Sequence, residues 1–328
     1  MNPVGEEETA QSYRDFAEQA RGSSACFTDW ASAVAADPEV LALVDSLPPP
    51  KRQPNLVLAA ARWHGAAAPG PYDGLRTVLL DDWDAVRATV LSRATQTNEV
   101  GRCATLLPVL AGLPGPLALL EVGASAGLCL YPDRYSYRYP GHAVDPADGP
   151  SRVVLECAVD GDAPLPDALP EVVWRGGIDV NPLDVCDDDA MRWLQALVWP
   201  EHQDRRSRLA AAVALAREDP PTLVRGDLNE ALPGLVEQVP DDATLVVFHS
   251  AVLAYLSAQE RDLFALQMAV TRGHWVGNEG PRVLPAVAAT APEGPPAGSA
   301  VGPAPFVLGL DGWAVAWTEG HGRALHWR

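Results

Sequence analysis

The chain has 328 residues, 48% of them hydrophobic and 20% charged, enough apolar material for one large or two modest globular domains. Its formal net charge of −19 argues against nucleic acid and anionic membrane surfaces as partners, and Lys51 is its only lysine, so its cations are almost all arginine. No run reaches the roughly 18 apolar residues of a membrane span, and the acidic start Met1–Glu8 lacks the basic-then-apolar form of a secretory signal, which points to a cytoplasmic protein.

Residues 10–112 read as helices. Tyr13, Phe16, Ala17 and Ala20 share one helix face, as do Val40, Leu41, Val44 and Leu47, and then Trp83, Val86, Val90 and Leu91. Gln96–Arg102 is either a solvated connection or a lid that offers Gln96, Asn98, Glu99 and Arg102 to a substrate. Gly112-Leu113-Pro114-Gly115-Pro116 breaks the pattern. It divides the chain into a helical cap domain, 1–112, and a sheet domain, 113–328.

The apolar run Leu117–Leu120 has the length of a buried strand and runs through Glu121 into Gly123, Ser125 and Gly127. Small residues at that spacing suit a tight strand-to-helix turn whose backbone a ligand can approach. The same letters satisfy G-x-S-x-G, the nucleophile elbow of serine hydrolases. That reading needs an acid and a histidine downstream, for which Asp227 with His249, or Asp311 with His321, are available. The nearly all-helical chain before Leu117 favours the ligand turn.

Downstream, Tyr135, Tyr137 and Tyr139 alternate with polar residues, and Val153, Leu155, Cys157 and Val159 alternate again, which predicts an inserted β-hairpin. A strand over 172–179 follows. Helices at about 187–198 and 203–218 flank Trp199-Pro200-Glu201-His202, where Glu201 and His202 are either capping residues or substrate contacts. Strands then end on Asp227, on His249 with Ser250, and on Glu279. Ser257 and Glu260 open a helix as a capping box. Leu284–Pro305, rich in Ala, Pro and Gly, is expected to be a mobile loop. It leads to three short strands, with Asp311-Gly312 as a hairpin turn.

Five predicted strands thus end on polar residues: Glu121, Asp179, Asp227, His249 with Ser250, and Glu279. Strand ends meet water in any protein, but five together match an open α/β sheet, where ligands bind beyond the carboxyl ends of the strands. The five cysteines are scattered, with no C-x-x-C pair and no histidine at zinc spacing, so no metal is expected.

The runs QTNEVGR (96–102), LLEVGASAGL (119–128), DRYSYRY (133–139), GIDVNPLDV (177–185), ALVWPEH (196–202) and VVFHSAVLAYL (246–256) resemble the bacterial domain-of-unknown-function family 2332 over nearly the whole chain. That family brings no activity with it. The C-terminal two thirds is in turn similar to class I S-adenosylmethionine-dependent methyltransferases. The resemblance implies a Rossmann-like sheet with a terminal antiparallel hairpin, the β-hairpin insertion lying after the first helix. It implies a cofactor site of Glu121, Gly123, Ser125 and Gly127 beside the amino-acid part of S-adenosylmethionine, Asp179 on the ribose hydroxyls, and Asp227 with Leu228 near the adenine. His249 is the implied base if the acceptor must lose a proton. Gln96, Asn98, Glu99, Arg102, Glu201, His202, Ser250 and Glu279 are the candidate contacts to a small-molecule acceptor.

Ser125 departs from the family's commoner glycine. Gly127 and Asp179 also stand 52 positions apart (179 − 127), against about 20 in a compact unit. An insertion between Asp133 and Asp160 absorbs the excess; without it Glu156 or Asp160 becomes the rival ribose ligand. A serine hydrolase using Ser125, and a binding module without chemistry, are the alternative functions.

Overall fold

The structure, a computed structural model, describes residues 3–328, with side chains from Glu7 onward. Most of the acidic start Met1–Glu8 therefore lies outside the described side chains. The described chain forms two compact units: the stretch up to Thr97 together with Asp188–Ser207, and Asn98–Asp187 together with Arg208–Arg328.

The first unit is helical. Its opening helices are α1 (Pro3–Ala20), α2 (Ala25–Val34), α3 (Pro38–Asp45), α4 (Pro54–Trp63), α5 (Tyr72–Asp81) and α6 (Trp83–Ser92). The apolar stripes read from spacing are its interior: Tyr13, Ala20, Val40, Val44, Val86 and Val90 are all fully buried. Starts are fixed by local chemistry. Asp37 accepts from the amides of Glu39 and Val40, and Pro38 occupies the first helical position, where no N–H is needed. At the end of α4, Arg62 donates to the carbonyls of Ala196 and Val198, each at 2.7 Å. Burial, with Arg206 beside it, pulls the Arg62 guanidinium down to about 10.

In the second unit, α7 (Cys103–Leu110) leads into β1 (Leu117–Val122), every residue of which is buried. Then come β2 (Ser136–Tyr139), β3 (His142–Val144), β4 (Val154–Glu156), β5 (Ala158–Asp160) and β6 (Val172–Asp179). After α8 (Asp188–Leu197), which belongs to the helical unit, and α9 (Gln203–Ala216) come β7 (Thr222–Arg225), α10 (Leu228–Val236), β8 (Thr244–Ser250), α11 (Ala258–Val270) and β9 (His274–Glu279). The chain closes with α12 (Pro285–Ala288), β10 (Phe306–Leu310), β11 (Trp313–Thr318) and β12 (Ala324–Trp327).

Nine strands make one sheet in the order β5-β12-β11-β10-β9-β8-β1-β6-β7. The run β7-β6-β1-β8-β9 is parallel throughout, and β10, β11 and β12 add an antiparallel meander. From β1 the chain goes outward through β6 and β7, then returns to β8 on the other side. The order therefore reverses between β1 and β8, the position where open α/β sheets form a cleft. Leu232 and Leu235 of α10 and Phe264 of α11 pack with Leu120, Leu245 and Val247 in the core beneath it. Ser257 and Glu260 form the capping box of α11, and Asp311 and Gly312 both take positive φ, as a tight hairpin turn needs.

Three features differ from the sequence reading. The insertion is a three-stranded sheet in which β2 pairs antiparallel with β3 but parallel with β4. Its apolar alternation over 153–159 is not one strand, because β5 leaves at Cys157 and pairs with β12 at the edge of the main sheet. Period two marks the faces of both strands and is blind to which sheet each joins. Secondly, Gly127 runs into single 3₁₀ turns at Leu128–Leu130 and Pro132–Arg134 instead of a helix. Thirdly, the stretch expected as a mobile loop carries α12 and sends Leu284, Val287, Ala291 and Val301 into the core. Four well-spaced apolar side chains outweigh its Gly and Pro content. No helix among the described residues is long and apolar enough to cross a membrane.

Candidate functional site

The sheet register brings the polar strand ends to one edge. Val122 pairs with Ile178 on one side and His249 on the other, Asp179 with Arg225, and Ser250 with Asn278. Asp227, Asp179, Glu121, Ser250 and Glu279 thus follow one another along that edge, at or just beyond the ends of β7, β6, β1, β8 and β9. Asp160, the rival ribose ligand, lies on edge strand β5 and accepts from Ser299 Oγ and the Ala300 amide. Glu156 lies on β4 of the smaller sheet.

The turn after β1 is left-handed at three residues, with φ of 73° at Gly123, 52° at Ser125 and 69° at Gly127. Ser125 carries a side chain there, a conformation costing roughly 1–2 kcal/mol. Asp179 holds it: Oδ2 accepts from the Ser125 amide at 2.8 Å, and Oδ1 from the Asn181 amide at 2.7 Å. Further bonds run from the amides of Gly123 and Ala124 to the Ile178 carbonyl, and from the Leu183 amide to the Ser125 carbonyl. At Gly127 the absent Cβ makes room for Pro221, whose Cγ would lie 2.8 Å from it.

Ser125 Oγ is buried and has no hydrogen-bond partner among the described residues. A hydrolase elbow needs an imidazole on that oxygen, and no such pair forms. One oxygen of Glu121, Oε2, is likewise buried and unpartnered. Burial pushes the Glu121 carboxyl well above the usual carboxylate range; the neighbouring Cys129 thiol and Asp179 push the same way, and Arg102 opposes them. An acid raised in the folded state favours folding while both states are protonated, and that contribution is lost as pH rises past the ordinary carboxylate range. Glu121→Gln is therefore expected to raise the melting temperature at pH 8 by a few degrees, with the advantage shrinking toward pH 4. Melts across that range check it; a variant less stable than wild type at pH 8 would contradict it.

Asp227 caps α10, its Oδ1 accepting from the Asn229 amide at 2.8 Å, and Leu228 opens that helix from the core. His249 is fully buried, with Nδ1 2.9 Å from Glu279 Oε1 and Nε2 2.9 Å from Trp275 Nε1. Indole N–H can only donate, so Nε2 is the acceptor and the ring is the neutral tautomer with hydrogen on Nδ1. Both ring nitrogens are engaged, which leaves the ring no free lone pair for an acceptor's proton. Glu279 Oε1 also takes the amides of Val252 and Leu253, at 2.9 and 3.0 Å, and its Oε2 is buried without a partner among the described residues.

Ser250 offers its carbonyl to Arg102 Nη1 at 2.9 Å and its hydroxyl to Asn278 Nδ2 at 3.2 Å. Asn98 Oδ1 accepts from the Leu128 amide just past the turn, and Glu99 takes the Cys129 thiol on its carbonyl. Arg102 also reaches the Gly320 carbonyl. Asn98, Glu99 and Arg102 thus brace the turn region from within the sheet unit, while Gln96 belongs to the helical unit.

Glu201 and His202 also belong to the helical unit, where they secure the start of α2. Glu201 accepts from Ser24 Oγ at 2.5 Å and from the Cys26 amide at 2.8 Å, and His202 Nε2 lies 3.0 Å from the Ser23 carbonyl. Burial pushes the Glu201 carboxyl up, but the bonds from Ser24 and the Cys26 amide, together with Glu201's own amide and the nearby His202, outweigh it and hold it below the usual range. A depressed acid contributes stability above its ordinary pKa and loses it as pH falls through the folded value. Glu201→Ala is expected to lower stability by about 1 kcal/mol at pH 7 and to flatten its decline in acid, read by melts from pH 7 to 3. An unchanged acid slope would contradict this assignment.

Spacing gave no sign of Val252 or Trp275. Val252 lies against the Gly123 turn, where an added Cβ would meet its Cγ2 at 2.3 Å. Among the described residues, no group of three or more His, Cys, Asp or Glu side chains is placed to hold a metal ion.

A model of the family described as "Uncharacterized protein conserved in bacteria (DUF2332)" matches residues 10–327. No curated protein and no solved structure matches the chain.

Proposed function

We propose that this chain, which belongs to the bacterial DUF2332 family, binds S-adenosylmethionine beyond the ends of β1, β6 and β7 and transfers its methyl group to a small molecule. The observation that carries the reading is the parallel order β7-β6-β1-β8-β9 with a carboxylate at Glu121, Asp179 and Asp227, beside a left-handed turn at the reversal point.

The donor set fits such a cofactor. Glu121 Oε2 and Ser125 Oγ are buried polar atoms without partners among the described residues, and a ligand carrying ammonium, sulfonium and hydroxyl groups can satisfy them. A dinucleotide fits less well, because its pyrophosphate is held at a helix N-terminus, whereas the turn here leads only into 3₁₀ turns and is flanked by acids. Asp179 takes one backbone amide on each oxygen. Each oxygen keeps a second lone pair, enough for two ribose hydroxyls. Asp227 and Leu228, at the start of α10, are the assigned adenine side of the cleft.

When bound, S-adenosylmethionine supplies a methyl group already activated by a sulfonium. The chain's contribution is to hold two partners in line, a term of order 7–11 kcal/mol at most. Ser250, Glu279 and the Asn98–Arg102 segment are the assigned contacts to the acceptor. With both His249 nitrogens engaged, an acceptor that need not lose a proton suits the site best. Calorimetric titration with S-adenosylhomocysteine tests the reading: saturable heat at one site per chain supports it, and no heat at millimolar ligand overturns it.

A further inference from the structure

Ala251–Leu256 runs from the end of β8 to the capping box of α11. Ala251 has a side chain yet stands at φ 57°, a strained conformation that clusters at functional positions. The next residue, Val252, is packed so closely on Gly123 that a Cβ there would meet Cγ2 at 2.3 Å and Cβ at 2.7 Å. Leu253 is fully buried, whereas Tyr255, two residues on, is 87% exposed. A single 3₁₀ turn, Leu253–Tyr255, is the segment's own regular structure. The strained Ala251 and the packed Val252 thus lie between the end of β8 and the buried Leu253 side chain.

One oxygen binds two adjacent amides of that segment. Glu279 Oε1 accepts from the Val252 and Leu253 amides and from His249 Nδ1, and Trp275 holds the far side of the imidazole. The same carboxylate leaves its Oε2 buried and without a partner among the described residues.

We infer that Val252 is a gate residue occupying the face of Gly123, that Ala251 is its hinge, and that Glu279, oriented by His249 and Trp275, is the positioning residue that latches it shut. What passes the gate rests on the cofactor reading above; the gate's motion does not. A closed gate competes with any ligand for the glycine face, so apparent affinity is reduced by the fraction of molecules that are open.

The test has two arms on the full chain. In the first, hydrogen exchange of the peptide spanning 250–257 is expected to be ~10-fold faster in Glu279→Gln than in wild type, with Leu245–Phe248 unchanged, since a local opening is being released. Should Glu279→Gln fail to fold, Trp275→Phe, which removes the donor to His249 along with part of the ring packed on Phe264, is expected to move the same peptide in the same direction. Unchanged exchange, or equal acceleration in β8, overturns the latch. In the second arm, Val252→Ala is expected to tighten S-adenosylhomocysteine ~3-fold or more and Val252→Leu to weaken it. Equal affinities in the two variants overturn the gate. If neither variant nor wild type binds, the cofactor reading fails, and the exchange arm alone decides the latch.

Discussion

Asp179→Ala is expected to lower S-adenosylhomocysteine affinity at least ~100-fold and to destabilise the sheet unit by about 2–4 kcal/mol. Two losses combine. The Ser125 and Asn181 amides lose the acceptors they reach at 2.8 and 2.7 Å, and an amide left buried without a partner costs roughly 1–3 kcal/mol. Ser125, held at φ 52° partly by that bond, then relaxes toward an ordinary conformation and takes the turn with it. The assigned partner of the ribose hydroxyls disappears at the same time. Asp179→Asn separates the effects: its amide oxygen keeps one of the two backbone bonds, so stability recovers in part while binding stays weak. Melts and calorimetry on both variants give the answer. Affinity within a few-fold of wild type in Asp179→Ala would remove this residue from the site.

Gly123→Ala is expected to destabilise by about 2–5 kcal/mol. The backbone stands at φ 73°, which a side chain enters at a cost of roughly 1–2 kcal/mol. Its Cβ would also lie 2.3 Å from Val252 Cγ2, and overpacking of that kind adds typically 1–3 kcal/mol. Val252→Ala in the same chain removes the Cγ2 contact and leaves the φ term and the 2.7 Å approach to the Cβ of residue 252, so the double variant recovers part of the loss. The non-additivity measures the contact between the two residues. Denaturant melts of the four species are the measurement, and strict additivity would show that the turn yields without involving Val252.

The parallel strands were legible because each is a short, bounded apolar run that ends on a polar residue, and helix faces such as Tyr13, Ala17 and Ala20 because burial follows their spacing. What spacing does not carry is partnership between distant positions. Val153, Leu155 and Cys157 alternate like one strand, yet the chain changes sheets there because β12, far along the sequence, completes the edge that β5 joins. His249 stands out in the sequence as a polar strand end. Its engagement on both ring nitrogens depends on Trp275 and Glu279, 26 and 30 residues away. Glu201 looks equally polar and exposed, and only the fold brings it to the start of α2, 175 residues earlier. Val252 has no polar signature at all. Packing against a backbone that lacks a Cβ leaves no trace in hydrophobic periodicity.

The most direct measurement is a crystal structure of the protein grown with S-adenosylhomocysteine. The account predicts one ligand beyond the ends of β1, β6 and β7, its ribose hydroxyls on Asp179, its amino-acid end at Glu121 and Ser125, and Val252 displaced from Gly123. A ligand bound elsewhere on the chain, or Asp179 facing only the Ser125 and Asn181 amides with the nucleoside away from it, would contradict it.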